Sequence, residues 1–208
     1  MNVYEIRLVE DFGPGLYPWV GIRGPLIDNG FIDRLPMPYR ATELQMLKAN
    51  TCAIGLQLDG GKTWPDFMGG GGSVPPNYIA ARVLDHIAQA QISIYHKTHA
   101  PIASVLSGSK RLKMEPAPDY YVVEANAGFV WNWREMGYEL NSDGTPNRNI
   151  KPIAGKGFCI DAKSWKGLDL CCCGDPMWRV NLYCTDKVRD LANEMKWTNV
   201  KFEQIRII

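Results

Sequence analysis

Two stretches of this chain carry strong helical periodicity, and each runs at once into an alternating strand. In "PPNYIAARVLDHIAQAQ", Ile79, Val83, Ile87 and Ala90 recur at helical spacing behind prolines at the entry, which predicts a helix from Asn77 to Gln89. "ISIYH" follows as a strand. In the last forty residues the order is strand "RVNLYC", Thr185 as N-cap, helix "DKVRDLANEMK" with Val188, Leu191, Ala192 and Met195 on one face, then strand "VKFEQIRI". So few helices among so many strands predict an α+β fold, with mixed sheets and a few flanking helices. The likeness of the two units suggests two related lobes, 1–115 and 116–208, meeting near "MEPAPD" at 114–119, or else one compact domain.

The remaining segments are short. "VYEIRLV" (3–9), "CAIGLQL" (52–58) and "YYVVEA" read as strands and "ATELQMLKA" as a short helix; "FVWNW", "LNSDGTPN" and "KGFCID" follow, with Asp143-Gly144 marking a turn. "DGGKTWPDFMGGGGSVPP" (59–76) holds four consecutive glycines, more than a tight turn needs, and reads as a mobile loop.

Charge and composition exclude several classes of function. Twenty-three basic against twenty-two acidic residues leave a formal charge of +1, so no global field points to nucleic acid or an anionic membrane. No run of about eighteen apolar residues occurs, and the expected location is the cytoplasm, with no membrane partner. The six cysteines are too sparse for a disulfide scaffold and are expected as thiols in a reducing compartment.

Three of them stand together in "DLCCCGDP". Cys171, Cys172 and Cys173 cannot by themselves close a tetrahedral zinc site, because metal ligands come as spaced pairs whose side chains converge. Cys159 or Cys184 would have to join them. The favoured reading is a strand in which cysteine serves as a small hydrophobe, alternating between the core and a more exposed face, with no metal and no cofactor. His86, His96 and His99 all lie in the first half, His86 at the edge of the predicted helix's buried face and the other two in "YHKTH". No nucleophile elbow, zincin helix, phosphate loop or dinucleotide fingerprint is present, and no catalytic residue is assigned.

The aromatic residues say more. Trp131, Trp133, Trp165, Trp178 and Trp197 stand amid apolar neighbours and read as core. Trp64 instead shares the glycine-rich loop with Phe67 and Met68, beside Asp59, Lys62 and Asp66. Exposed aromatics on an adaptable, polar-rimmed loop suit an interface. Asp59, Trp64, Asp66, Phe67 and Met68 are therefore the candidate partner-binding residues; the competing reading has Trp64 and Phe67 plugging the core.

The stretches "DYYVVEANAGFVWNWREMGYELNSDG", "SWKGLDL" and "LYCTDKVRDLANEMKWTNVKFEQI" resemble, in order and texture, the immunity proteins of bacterial polymorphic-toxin systems, nearest to the double-CxxCG group. The resemblance covers roughly residues 75–208 and is strongest in the last forty. It departs from that group at "TCAIG" and "CCCG", neither of which supplies C-x-x-C-G, so a zinc site built on such pairs is not expected here. What it implies is a protein that is not an enzyme, whose partner is a cognate toxin domain and not nucleic acid. The alternatives are a small cytosolic enzyme with a carboxylate or cysteine site, or a zinc-binding adaptor.

Overall fold

The computed structural model describes residues 1–9, 19–27, 30–31, 53–59, 63–68, 78–100, 116–147, 149–175 and 181–208. Its strands are β1 (Val3–Arg7), β2 (Trp19–Ile27), β3 (Gly30–Phe31), β4 (Ala53–Asp59), β5 (Phe67–Met68), β6 (Tyr78–Ala80), β7 (His96–His99), β8 (Tyr120–Glu124), β9 (Ala127–Phe129), β10 (Cys159–Ile160), β11 (Leu170–Cys173), β12 (Tyr183–Thr185) and β13 (Lys201–Ile207). The helices are α1 (Ala81–Gln89) and α2 (Asp186–Glu194). The fold is α+β. A mixed six-stranded sheet runs β10-β13-β1-β12-β11-β9, a four-stranded antiparallel sheet runs β5-β6-β8-β7, and β3-β2-β4 form a third.

Alternation sorts the central strands onto two faces. In β1, Val3 faces one way and Tyr4 and Ile6 the other; in β12, Tyr183 joins Val3, and Cys184 joins Tyr4. The Tyr4 face packs on both helices through Val83, Leu84, Ile87, Val188 and Ala192, and the same core takes in Phe67, Ile79 and Val123 of the four-stranded sheet. The Val3 face gathers Phe129, Trp131, Cys171, Cys173, Tyr183 and Ile205.

The two edges of the six-stranded sheet meet. Trp131, just past edge strand β9, bridges antiparallel to Ile160 of the opposite edge strand β10. Asn132 N donates to Cys159 O at 2.8 Å, and Asp161 N to Val130 O at 3.2 Å. The sheet thus closes around the Val3 face, as a small barrel filled by side chains. The filling is aromatic and edge-on: Phe129 lies 5.0 Å from Trp131 and 4.9 Å from Tyr183, and Trp131 5.6 Å from Tyr183.

Several sequence expectations change. The first helix starts at Ala81, not Asn77, because Tyr78–Ala80 are taken as a strand between β5 and β8. The strand expected at "ISIYH" starts only at His96; Ile92 turns into the core instead, its N–H bonded to Ile87 O at 3.0 Å. Thr185 does stand at the N-cap of α2, but its hydroxyl donates to Asp169 Oδ1 at 2.9 Å and makes no capping bond. The short helix expected at "ATELQMLKA" lies outside the described residues.

A division at 115/116 does not separate the sheets. β1 from the N-terminal side sits between β12 and β13, and β8 from the C-terminal side pairs with both β6 and β7.

Candidate functional site

Of the loop residues singled out as partner contacts, Asp66, Phe67 and Met68 turn inward. Phe67 and Met68 form β5, pair with Ile79 and Tyr78, and are 1% and 0% exposed. Phe67 meets the Trp197 ring at 5.7 Å, and its carbonyl accepts from Asn199 Nδ2 at 2.8 Å. As placed, neither offers surface to a partner; of the two residues in the core-plug alternative, Phe67 is buried. Trp64 is half-buried against Tyr120, with ring centroids 6.4 Å apart. Asp59 ends β4 and pairs with Trp19.

Asp66 is 3% exposed and fully engaged. Oδ2 accepts from Thr198 N at 2.6 Å and Thr198 Oγ1 at 2.9 Å, and the guanidinium of Arg82 closes on the carboxylate in a bidentate pair. Asp66 N in turn donates to Thr198 Oγ1 at 2.9 Å. A positive φ of 57° at Asn199, in the left-handed region that asparagine tolerates, forms the turn that brings Thr198 here. Residues 66–68 and 197–199 thus form a latch between the four-stranded sheet and the chain leaving α2. His86 belongs to the same corner: its Nδ1 accepts from Trp197 Nε1 at 3.0 Å with the rings parallel, so its own proton sits on Nε2.

The cysteine strand is buried on both faces, which corrects the expected alternation with an exposed face. Cys171 and Cys173 point into the closed sheet, and Cys172, 4% exposed, directs Sγ at Ala125 O at 3.2 Å. Burial pushes the thiols of Cys171 and Cys184 well above the usual range and that of Cys173 up to about 11, so they stay protonated and poorly nucleophilic at neutral pH. His96 and His99 project from opposite faces of β7 and cannot share a ligand. Among the described residues no three His, Cys, Asp or Glu side chains converge as a metal site.

Three features escaped the sequence reading. Glu5, 6% exposed, lies at one end of the closed sheet, paired with Arg7 at 2.7 Å and accepting from Asn181 Nδ2 at 2.7 Å; Arg7 also reaches Glu203 at 2.6 Å. The signal was available, because Glu5 and Arg7 stand two apart in a strand and so share a face. Next, an open cleft of about 340 Å³ lies between α2 and β13, with Arg189, Asn193, Trp197, Lys201 and Phe202 in its walls. Arg189 is already neutralised there, by Asp186 at 2.9 Å and Asp190 at 2.7 Å.

The third feature is on the outside of the sheet closure. Phe129 and Trp131 point inward, leaving Val130 outward and 46% exposed. Residues 149–157 are also all exposed, Ile153 at 65%. The segment is nevertheless anchored: Ile153 N donates to Gly137 O at 3.0 Å, and Arg206 Nη2 donates to the carbonyls of Glu135 and Lys156, each at 3.1 Å. No described helix is long and apolar enough to cross a membrane. No protein-family model matches the chain, and no curated protein matches it either.

Proposed function

We propose that this chain is an immunity protein of a bacterial polymorphic-toxin system, which binds a cognate toxin domain in the cytoplasm and neutralises it as a stoichiometric complex. The observation that carries this reading is how the chemistry-bearing side chains are engaged. The thiols of Cys171, Cys173 and Cys184 are buried and held protonated, Asp66 is closed by Arg82 and Thr198, and Glu5 is closed by Arg7 and Asn181. Reactive groups used in this way hold a scaffold together, and what faces outward is side chains suited to contact. The resemblance adds support, since its stretches supply β9, β12 and most of β13 of one closed sheet together with α2.

The reading requires a toxin gene in the same neighbourhood, and the test is co-expression with it. The toxin's C-terminal domain should stop growth alone and be harmless with this protein, and the two should leave a gel-filtration column together, as expected for an interface of about 800 Å² per partner. Equal killing with and without the protein overturns the reading.

A further inference from the structure

We propose that the outer surface along the sheet closure, centred on Val130, Ile150 and Ile153 and flanked by Lys151, Lys156 and Lys163, is where this protein grips its partner, and that the partner meets it with a carboxylate-rich protein surface around an apolar centre. This rests on the immunity reading and adds to it the contact surface and the partner's chemistry.

Charge makes the first argument. Residues 145–166 hold five basic side chains (Arg148, Lys151, Lys156, Lys163 and Lys166) and one acidic, Asp161. Five minus one is +4, so in a chain of net +1 the other residues sum to −3. Asp161, the one acidic side chain of the segment and already counted in that sum, accepts from the backbone N–H of Lys163 at 3.0 Å. Lys151, Lys156 and Lys163 are exposed and make no ion pair among the described residues. A basic excess concentrated in one exposed segment of a nearly neutral chain steers partners of opposite sign toward it.

Apolar exposure makes the second. Val130, 46% exposed, donates its N–H to Ser164 Oγ at 2.9 Å, next to Lys163 in the chain, while Ile150 and Ile153, 39% and 65% exposed, stand on either side of Lys151 in sequence. Aliphatic side chains inside a polar rim are the pattern of a protein–protein contact. Single-stranded nucleic acid would call for outward aromatic rings, and here Phe129 and Trp131 are turned into the sheet.

Anchoring makes the third. The bonds from Ile153 to Gly137 and from Arg206 to Lys156 hold the exposed segment in place before any partner arrives, which lowers the ordering cost of binding.

The experiment titrates the toxin C-terminal domain encoded beside this gene against wild type, the triple variant Lys151→Glu/Lys156→Glu/Lys163→Glu, Ile153→Asp, and Lys97→Glu as an exposed cation on the other sheet. All the changed positions are exposed, and melting curves check that every variant folds. The triple variant should bind roughly a hundredfold more weakly at physiological salt and Ile153→Asp about tenfold more weakly, with Lys97→Glu near wild type. Wild type that binds, with the triple variant and Ile153→Asp within about twofold of it, overturns the proposed surface and leaves the immunity reading standing. Wild type that does not bind the toxin domain removes the immunity reading and this surface with it. A parallel arm uses a DNA duplex and an RNA strand, each about twenty nucleotides long and so long enough to track a basic groove. Charge-sensitive binding there, with toxin binding equal in all variants, assigns the lysines to nucleic acid and overturns the proposal.

Discussion

Asp66→Asn asks whether Asp66 is a latch or a contact. The substitution keeps the side chain's volume and removes its charge. Four donors converge on the carboxylate: Thr198 N, Thr198 Oγ1, and Nε and Nη2 of Arg82. An amide has one oxygen. If that oxygen keeps the Thr198 bonds, the NH₂ group faces Arg82, donor against donor, in a site where Asp66 is only 4% exposed. A buried donor left unsatisfied costs about 1–3 kcal/mol. The lost ion pair adds only about 1 kcal/mol, because Arg82 is 51% exposed and its guanidinium can rehydrate. The expected loss is therefore about 2–4 kcal/mol, and Arg82→Gln, which leaves the Thr198 bonds in place, should lose about 1 kcal/mol. Urea unfolding followed by tryptophan fluorescence reads both, and at about 2–4 °C per kcal/mol the melting point of Asp66→Asn should fall by roughly 5–15 °C. A loss below about 0.5 kcal/mol, the size of an ordinary surface substitution, refutes the latch. So does a variant that folds like wild type and loses its partner, since Asp66 would then be a contact residue.

Two further outcomes follow from the geometry. Gly137 has φ +85°, and a Cβ there would stand 2.9 Å from both Ile153 N and Ile153 Cβ, so Gly137→Ala should cost about 2–3 kcal/mol and speed protease cleavage within 149–157; unchanged cleavage would show that Gly137 does not hold that segment. Asp186 is held down to about 2 from its ordinary 3.8, first by the backbone N–H of Asn2 and then by the Asn2 side chain, the Tyr4 hydroxyl and the Arg189 charge. A depressed carboxylate stabilises the fold fully above its unfolded value and loses that contribution as pH falls through its folded one, so Asp186→Asn should be less stable at neutral pH and should flatten the stability profile between pH 4 and 2. A variant that loses stability as steeply as wild type over that range would show that other carboxylates set the acid limit.

The parts of the fold legible in the sequence are those decided locally. Helix α2 is one: Val188 and Ala192 are four apart on a single buried face, and the residue before the helix is a threonine in extended conformation. The start of α1 was not legible, although Ile79, Val83 and Ile87 keep perfect helical spacing. Ile79 and Val83 do enter the same core, but Ile79 does so from a strand, because Tyr121, forty-two residues on, pairs with it. Spacing reports which side chains are buried together and is silent on which backbone partner is waiting. The same limit hid the placement of β1. Its alternation marked a strand, and nothing within the first nine residues says that it will lie between two strands from the far end of the chain. The loop at 59–76 misled for a related reason. Four glycines dominated its composition, while the groups that draw Asp66 and Phe67 inward, Thr198 and Asn199, are 132 residues away in sequence.

The closure of the six-stranded sheet is the least legible feature and the most consequential. It rests on a bridge between Trp131 and Ile160, residues that read separately as ordinary apolar positions. Once the edges join, alternation fixes the rest: Phe129 and Trp131 must fill the interior, so Val130 between them must face out. Sequence alone shows that 145–166 is rich in lysine, and a charge run is ordinarily a solvated face. What changes its meaning is that Arg206 and Gly137 hold this segment while its own Ile150 and Ile153 stay exposed. A lysine-rich stretch on mobile chain would have to be ordered by its partner. Held against a closed sheet with Ile150 and Ile153 among its lysines, it is already ordered, and its surface differs in charge from the rest of the molecule.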